Sequence, residues 1–356
     1  MADLDLVKPN LWADLSTENV KLDENVIAAI PDAGQAGRIH AAGHGASYWT
    51  NTACVELKFP DGRDRKYFLK IAAGDRGRGM MEGEFESMKV IHTTTPDFAP
   101  RPIAWGTYKS NPELHFFLCD FREMDNELPD VNKFAEKLAK LHRNSVSPTG
   151  KFGFHVTTYN GNIPQDVRWA DTWEECFVLG TKRDFELEAV ARGKSDELEA
   201  LKIPLFEKVI PRLLRPLETG GRKLKPCFVH GDLWYGNTSN DILSEEPLVF
   251  DAAGFYGHNE FDVKAMRIVR YQFGRNYMNA YHSHYPISPP EEDLDARLAL
   301  YSLRSFLHES TLFISDPKPR EELIAETRKL VEMFPDGLDS QPNTKRDKGH
   351  HDSQQD

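Results

Sequence analysis

Cysteine is scarce. Cys54, Cys119, Cys176 and Cys227 are the only four in 356 residues, and no two form a CxxC pair. This spacing excludes a CxxC zinc site and argues against a disulfide scaffold, leaving free thiols in a reducing compartment as the expectation. Long apolar runs are absent as well. None approaches the roughly 20 residues that span a bilayer, and the charged segment MADLDLVKPN lacks the apolar centre of a secretory signal. A membrane protein is therefore not expected and a cytoplasmic one is. Cations are outnumbered, 44 Lys and Arg against 56 Asp and Glu, for a net charge of -12. A dedicated nucleic-acid binder needs a basic face that neutralises phosphates, so that class is excluded too. A nucleotide site needs only a few cations and stays open. No GxxxxGK[ST] loop occurs, which removes the Walker A route to such a site.

What remains is an ordinary globular composition, 40% hydrophobic and 28% charged, in a chain of about two domains at roughly 150 residues each. Arg38–Ala42 reads as a strand, Gly43-His44-Gly45-Ala46-Ser47 as a turn and Cys54–Phe59 as a returning strand. Asp61-Gly62 is a hairpin signal, followed by the strand Lys66–Ile71. Gly74–Gly79 reads as a loop. From Met80 to His92, Met81, Phe85 and Met88 recur with helical spacing, and Glu84 falls on the same inward stripe. A carboxylate there needs a partner. His115–Cys119 forms one more strand, ending at Asp120.

Residues 1–120 thus form a mostly β lobe with one helix. Helices dominate 121–335, beginning with Phe134–His142 and including 257–282 and 291–314. Two short strands interrupt them, at 226–229 and 248–250. The polar stretch 336–356 is expected to be a disordered tail. The class is α+β.

The chemistry concentrates in Phe228-Val229-His230-Gly231-Asp232-Leu233-Trp234-Tyr235-Gly236-Asn237, followed by Leu248-Val249-Phe250-Asp251. One strand delivers His230 and Asp232 to a loop, Asn237 follows five positions later, and a second strand delivers Asp251. Phosphoryl transfer to an alcohol needs such a set. One carboxylate, Asp232, accepts the hydroxyl proton as catalytic base. An amide oxygen, Asn237, and a second carboxylate, Asp251, supply hard ligands to Mg²⁺ on ATP. An isolated HGD would be weak; HGDxxxxN with an Asp fourteen positions further on is not.

Upstream, Lys70 ends an apolar strand where its ammonium can meet phosphate oxygens, and Glu84 is its natural ion-pair partner. Alone, Lys70 would read as a surface lysine; together with Glu84 it reads as part of the site. Gly43 and Gly45 can cover phosphates with backbone N–H groups. Asp120, Phe121 and Arg122 fall where a hinge would meet adenine.

Several stretches resemble the fructosamine/ketosamine-3-kinase family, a branch of the aminoglycoside-phosphotransferase-like kinases. They are Met81-Glu82-Gly83-Glu84, Lys151–His155 continuing through Gly161 and Ile163-Pro164-Gln165 to Trp169 and Trp173, His230–Trp234 with Gly236-Asn237, and Tyr256-Gly257-His258 with Glu260-Phe261-Asp262. The resemblance runs from about residue 38 to 315. It implies a bilobal protein-kinase-like fold and ATP-dependent phosphorylation of the sugar 3-hydroxyl of ketosamines on protein lysines or small amines. It also implies that Asp262 braces the catalytic loop and that His230 does likewise. Trp234 would pack on the sugar ring or, alternatively, between the lobes. His258 and Glu260 would lie near the substrate side, as ligand contacts or as scaffold, and Phe152–His155, Gln165 and Trp169 would shape the surface near it.

Two departures stand out. Asp251-Ala252-Ala253 replaces the usual Asp-Pro-Ala, and Ala46-Ser47 stands where many members carry a cysteine, which argues against redox control through that loop. A kinase for choline, aminoglycosides or another hydroxylated amine is the competing enzyme reading. A non-catalytic pseudokinase is the competing binding reading. The oligomeric state is open.

Overall fold

The computed structural model describes residues 20–339 apart from Ala46 and Asn126. The expectations for MADLDLVKPN and for the tail beyond residue 339 lie outside the described residues.

The amino-terminal lobe is a five-stranded antiparallel sheet in the order β1-β2-β3-β5-β4. Its strands are β1 (Arg38–Gly43), β2 (Asn51–Lys58), β3 (Asp64–Ala73), β4 (Pro102–Thr107) and β5 (Leu114–Asp120). Successive strand residues face opposite sides. Val55, Leu57, Tyr67, Leu69, Ile71, Phe116 and Leu118 turn to one side, where they pack with Val26 and Ile30 of the α1 (Glu24–Ala29) region. Phe68, Lys70, Phe117 and Cys119 have the opposite parity and face the inter-lobe cleft. Lys70 does not end its strand, which runs on to Ala73. Its direction follows from alternation.

The helix after β3, α2, spans Gly74–Thr94 and absorbs the expected loop at 74–79. Two glycines of this helix, Gly79 and Gly83, serve close packing. A Cβ on Gly79 would collide with the ring of Tyr159, and one on Gly83 would lie 2.6 Å from the Thr157 carbonyl oxygen. The helix gives up the extra stability of alanine at these positions and lies directly on the second lobe.

That lobe is mainly helical. Asp130 caps α3 (Val131–Asn144) by accepting from the Asn132 and Lys133 N–H groups. The helix buries Phe134, Ala135, Leu138 and Leu141. Each large apolar side chain buried this way contributes about 1.5–3 kcal/mol. A small hairpin follows, β6 (Tyr159–Asn160) and β7 (Ile163–Pro164), then α4 (Trp173–Arg192), α5 (Asp196–Pro204) and α6 (Ile210–Leu214).

Short strands β8 (Cys227–Val229), β9 (Thr238–Asn240), β10 (Pro247–Val249) and β11 (Phe255–Gly257) carry the HGD loop and Asp251. The polar 239–247 segment is a β9–β10 hairpin.

The single helix expected over 257–282 is broken into β11, α7 (Glu260–Val263), two 3-10 turns and α8 (Gly274–His284). Gln272 in the left-handed region, at φ 66°, and Gly274 at φ 74° interrupt helical geometry. α9 (Leu294–Leu312) is buried along most of its length, and α10 (Lys318–Met333) packs on it. Order continues past Pro335: Gly337–Asp339 forms a 3-10 turn, and Lys208 Nζ donates to the Pro335 carbonyl at 2.7 Å. No described helix is long and apolar enough to cross a membrane.

Candidate active site

The HGD loop is held by its backbone. Gly231 has φ +83°, and a Cβ there would strike the Ala253 carbonyl oxygen. Glycine is therefore required on two counts. Asp262 accepts from the His230 N–H at 2.7 Å and from the Gly231 N–H at 3.1 Å, while His142 Nε2 lies 3.2 Å from its Oδ2. Burial opposes ionisation of Asp262, but the hydrogen bond and charge of His142 hold its carboxyl below the ordinary range. Asp262 fills the bracing position that the resemblance implies.

His230 is also a brace. Burial keeps its imidazole neutral. Its Nε2 lies 3.0 Å from the Phe250 carbonyl, and its Nδ1 accepts the Asp232 N–H at 3.3 Å. This pairing assigns the proton to Nε2 and ties the loop to the strand that delivers Asp251.

Asp232 projects from this frame. Asn237 Nδ2 donates to the Asp232 carbonyl at 2.8 Å and to its Oδ2 at 3.1 Å. The Asn237 amide nitrogen is thereby spent, and the oxygen is the group left for a cation. Burial raises the Asp232 carboxyl, opposed by His230 and by a hydrogen bond from Asn160. The charges of His308 and Lys264 also lower it. Phe250 N–H donates to the Asn237 carbonyl at 3.1 Å, which places Asn237 beside Asp251. Asp251 sits in the left-handed region at φ 57°. That region costs a non-glycine residue energy and recurs at functional sites.

Across the cleft, Lys70 Nζ lies 2.7 and 2.9 Å from the two Glu84 carboxylate oxygens and 2.5 Å from Asp251 Oδ1. Burial works against the charged lysine, but the Asp251 and Glu84 carboxylates more than offset it and hold the ammonium protonated. Burial pushes Glu84 the other way, upward, opposed by Lys70. The cleft encloses about 640 Å³, within the usual range for small-molecule and cofactor sites. Its walls include Lys70, Glu84, Phe250, Asp251, Tyr235 and Gly236.

The remaining expected site residues divide. Gly45 lines the cleft with φ +77°, whereas Gly43 is a strand residue paired with Ala53. Asp120, Phe121 and Arg122 line the opposite end of the cleft. The Asp120 N–H bonds the Arg101 carbonyl at 2.9 Å and the Phe121 N–H the Lys66 carbonyl at 3.3 Å, so neither is spare for adenine. The expectation of a donor from this segment narrows to Arg122. Trp234 is half-buried and lies over Gly236, with Tyr271 6.4 Å away between ring centres.

His258 and Glu260 do not line the cleft. Both are fully buried. His258 is held between Tyr301 Oη at 2.9 Å and Ser288 Oγ at 2.8 Å. Glu260 accepts two hydrogen bonds from Arg297, at 2.7 and 3.0 Å. The expected substrate contact gives way to core scaffolding, because β11 and α7 turn this segment into the helical lobe. Gln165 is buried too, donating to the Ala253 carbonyl at 2.9 Å.

Burial holds His258 neutral, down to about 4 from an ordinary 6.5. The unfolded chain therefore binds a proton that the folded chain refuses between those values, and stability falls as pH drops from 6.5 toward 4. A shift of this size corresponds to about 3 kcal/mol. Urea unfolding at pH 7.5 and 5 is expected to show about 2 kcal/mol of this loss in the wild type, the part that falls above pH 5, reduced in His258→Gln. An equal pH response in both would remove His258 as its source.

Sequence reasoning missed Asn160, Lys264 and His308, which all favour the ionised form of Asp232. Lys264 is buried, donates to the Phe261 carbonyl at 3.0 Å and is pushed down to about 7 by desolvation. No spacing signal marks these residues, because each comes from a different element.

The fructosamine kinase family model matches residues 46–327. The chain is 29% identical over 258 residues to the chloroplastic protein-ribulosamine 3-kinase of Oryza sativa subsp. japonica, covering 70% of this chain and 69% of the relative. It is 29% identical over 264 residues to ketosamine-3-kinase of Mus musculus, covering 68% and 81%. A crystal structure of a thermostable mutant of aminoglycoside phosphotransferase APH(4)-Ia, in ternary complex with AMP-PNP and hygromycin B, superposes with a TM-score of 0.55 at 14% identity. That alignment covers 88% of this chain and 98% of the other, and establishes the bilobal kinase-like fold. With a family model spanning most of its length and a braced HGD loop facing a lysine–glutamate pair, the chain belongs to the fructosamine kinase family.

Proposed function

We propose that this enzyme transfers the γ-phosphoryl group of ATP to the sugar 3-hydroxyl of a ketosamine, a ribulosamine- or fructosamine-type adduct on a lysine or a small amine. The observation that carries the reading is the meeting of Lys70, Glu84 and Asp251 in one cleft with Asp232 and Asn237 beside it. A binding module has no physical need for all five.

In the proposed reaction Asp232 accepts the proton of the acceptor hydroxyl as that oxygen attacks the γ-phosphorus. The bond to the β–γ bridging oxygen breaks, and ADP leaves with the electron pair. Lys70, fixed by Glu84, sets a positive charge against the phosphates. The oxygen of Asn237 and the carboxylate of Asp251, whose side chain is 47% exposed to the cleft, fit the hard-oxygen preference of Mg²⁺ and would hold it. When bound, the ion neutralises charge on the phosphates. Trp234 supplies an aromatic face for the sugar.

We place the lobe boundary at residue 120, with the helical lobe running through Asp339, and a reducing compartment such as the cytoplasm suits the free thiols of Cys54, Cys119, Cys176 and Cys227.

ATP consumption with ribulosamine, fructosamine and choline as acceptors tests the reading. Turnover with a ketosamine and none with choline is expected. Turnover with choline alone would replace the ketosamine reading by the hydroxylated-amine one.

A further inference from the structure

The segment Asp251-Ala252-Ala253-Gly254 runs from the proposed metal carboxylate to the start of β11. Its backbone is tied from three directions. The Ala253 N–H donates to the His230 carbonyl at 3.0 Å. The Ala253 carbonyl accepts from Gln165 Nε2 at 2.9 Å. The Gly254 N–H donates to Ser87 Oγ at 3.1 Å. The first two ties come from the helical lobe, and the third comes from α2 of the amino-terminal lobe. Gly254 is closely packed besides: a Cβ there would lie 2.3 Å from Phe228 Cζ and 2.9 Å from the Val229 carbonyl oxygen.

Ser87 is fully buried. Its hydroxyl donates to the Gly83 carbonyl, one turn back in the same helix, at 2.7 Å. A hydroxyl has one proton, so this bond commits the proton and leaves a lone pair for the Gly254 N–H. Ser87 follows Glu84 by three positions and shares its face of α2. Glu84 grips Lys70 at 2.7 and 2.9 Å, and Lys70 reaches Asp251 Oδ1 at 2.5 Å. The contacts close a ring. It runs from Asp251 through Lys70, Glu84, one turn of α2, Ser87 and Gly254, and along the backbone to Asp251 again. Neither Ser87 nor Gly254 lines the cleft.

We propose that Ser87 is a positioning residue for the nucleotide: its hydroxyl fastens the helix that carries Glu84 to the segment that carries Asp251, and so keeps Lys70 and Asp251 in register across the cleft. The inference rests on the reading of Lys70 and Asp251 as the groups that meet the ATP phosphates and their Mg²⁺. Those two side chains come from different lobes. An ammonium and a carboxylate that each turn to a ligand no longer hold each other. The Ser87 bond lies behind them, outside the cleft, where a ligand does not compete for it. Small losses of orientation among such groups cost large factors in binding and rate.

The experiment compares wild type, Ser87→Ala, Glu84→Gln and the double variant. Calorimetry reads the Kd for Mg-ATP with no acceptor present. Steady-state kinetics read the KM for ATP and for the acceptor, and melts without nucleotide read Tm. A neutral hydrogen bond is worth about a factor of five. Ser87→Ala is therefore expected to weaken Mg-ATP about fivefold in both Kd and KM, with the acceptor KM within about twofold. Its Tm is expected within about 4 °C of wild type. In the Glu84→Gln background the pair that Ser87 aligns is already broken, and the same substitution is expected to change Kd less than about twofold. Unchanged ATP binding in Ser87→Ala overturns the inference. So does the full effect in the Glu84→Gln background, which shows Ser87 acting apart from Glu84. A lowered Tm with both KM values raised together also overturns it, because that marks a general loosening. A wild type that binds no Mg-ATP overturns the kinase reading, and this inference with it. Turnover of choline in place of a ketosamine strikes the substrate assignment alone, since nucleotide binding is read in either case.

Discussion

Asp232→Asn is expected to lower kcat by at least about 100-fold, the low end for loss of a general base, while the protein stays folded. The substitution keeps the shape of the side chain and its place opposite Asn237, 3.1 Å away. It removes the group that can accept the hydroxyl proton. Stability does not depend on that charge: burial raises the Asp232 carboxyl, so the folded state already pushes against its ionised form. A neutral amide removes this opposition. Steady-state kinetics at saturating ATP and ketosamine, with thermal melts alongside, read both quantities. Wild-type-like turnover would take Asp232 out of the mechanism, and a collapsed melt would show that the loop needs the carboxylate for folding.

The second large effect is on stability. Arg297→Met is expected to destabilise the protein by about 3–5 kcal/mol, the usual result of leaving one member of a buried ion pair alone. Arg297 and Glu260 are both fully buried. The guanidinium also donates to the Pro290 carbonyl at 2.6 Å and to the Ser288 carbonyl at 2.8 Å. Its removal strands a carboxylate and two carbonyls in the core of the helical lobe. In a chain of this size the change corresponds to a Tm lower by about 4–7 °C. Replacing both partners, Arg297→Met with Glu260→Leu, is expected to recover much of the loss, because the stranded charge is gone. If the single variant melts with the wild type, the pair is not the structural element that its burial implies.

The same pair shows where a linear reading fails. His258 and Glu260 belong to the segment that makes the family resemblance specific, and their position in it implied the substrate side. Polarity along the chain does not reveal that Arg297, 37 positions on from Glu260, meets it, or that Tyr301 meets His258. Both partners lie on α9, and only the packing of that helix against α7 decides the matter. Gly79 misled for a related reason. A glycine required by a neighbour's approach looks, in sequence, like one required by a turn. Tyr159, which imposes the approach, lies far downstream.

The chain alone determined the chemistry-bearing set. The spacing of Asp232, Asn237 and Asp251 was visible because strand–loop–strand geometry is local, and a few residues of backbone fix how far such side chains can diverge. The inward placement of Glu84 was visible because helical periodicity is local too. Tertiary structure decided what surrounds the set: Lys70 between two carboxylates and Asp262 beneath the loop. Those contacts join residues from 14 to 181 positions apart. Distances of that order are set by how lobes and helices pack, which no local pattern of residues records.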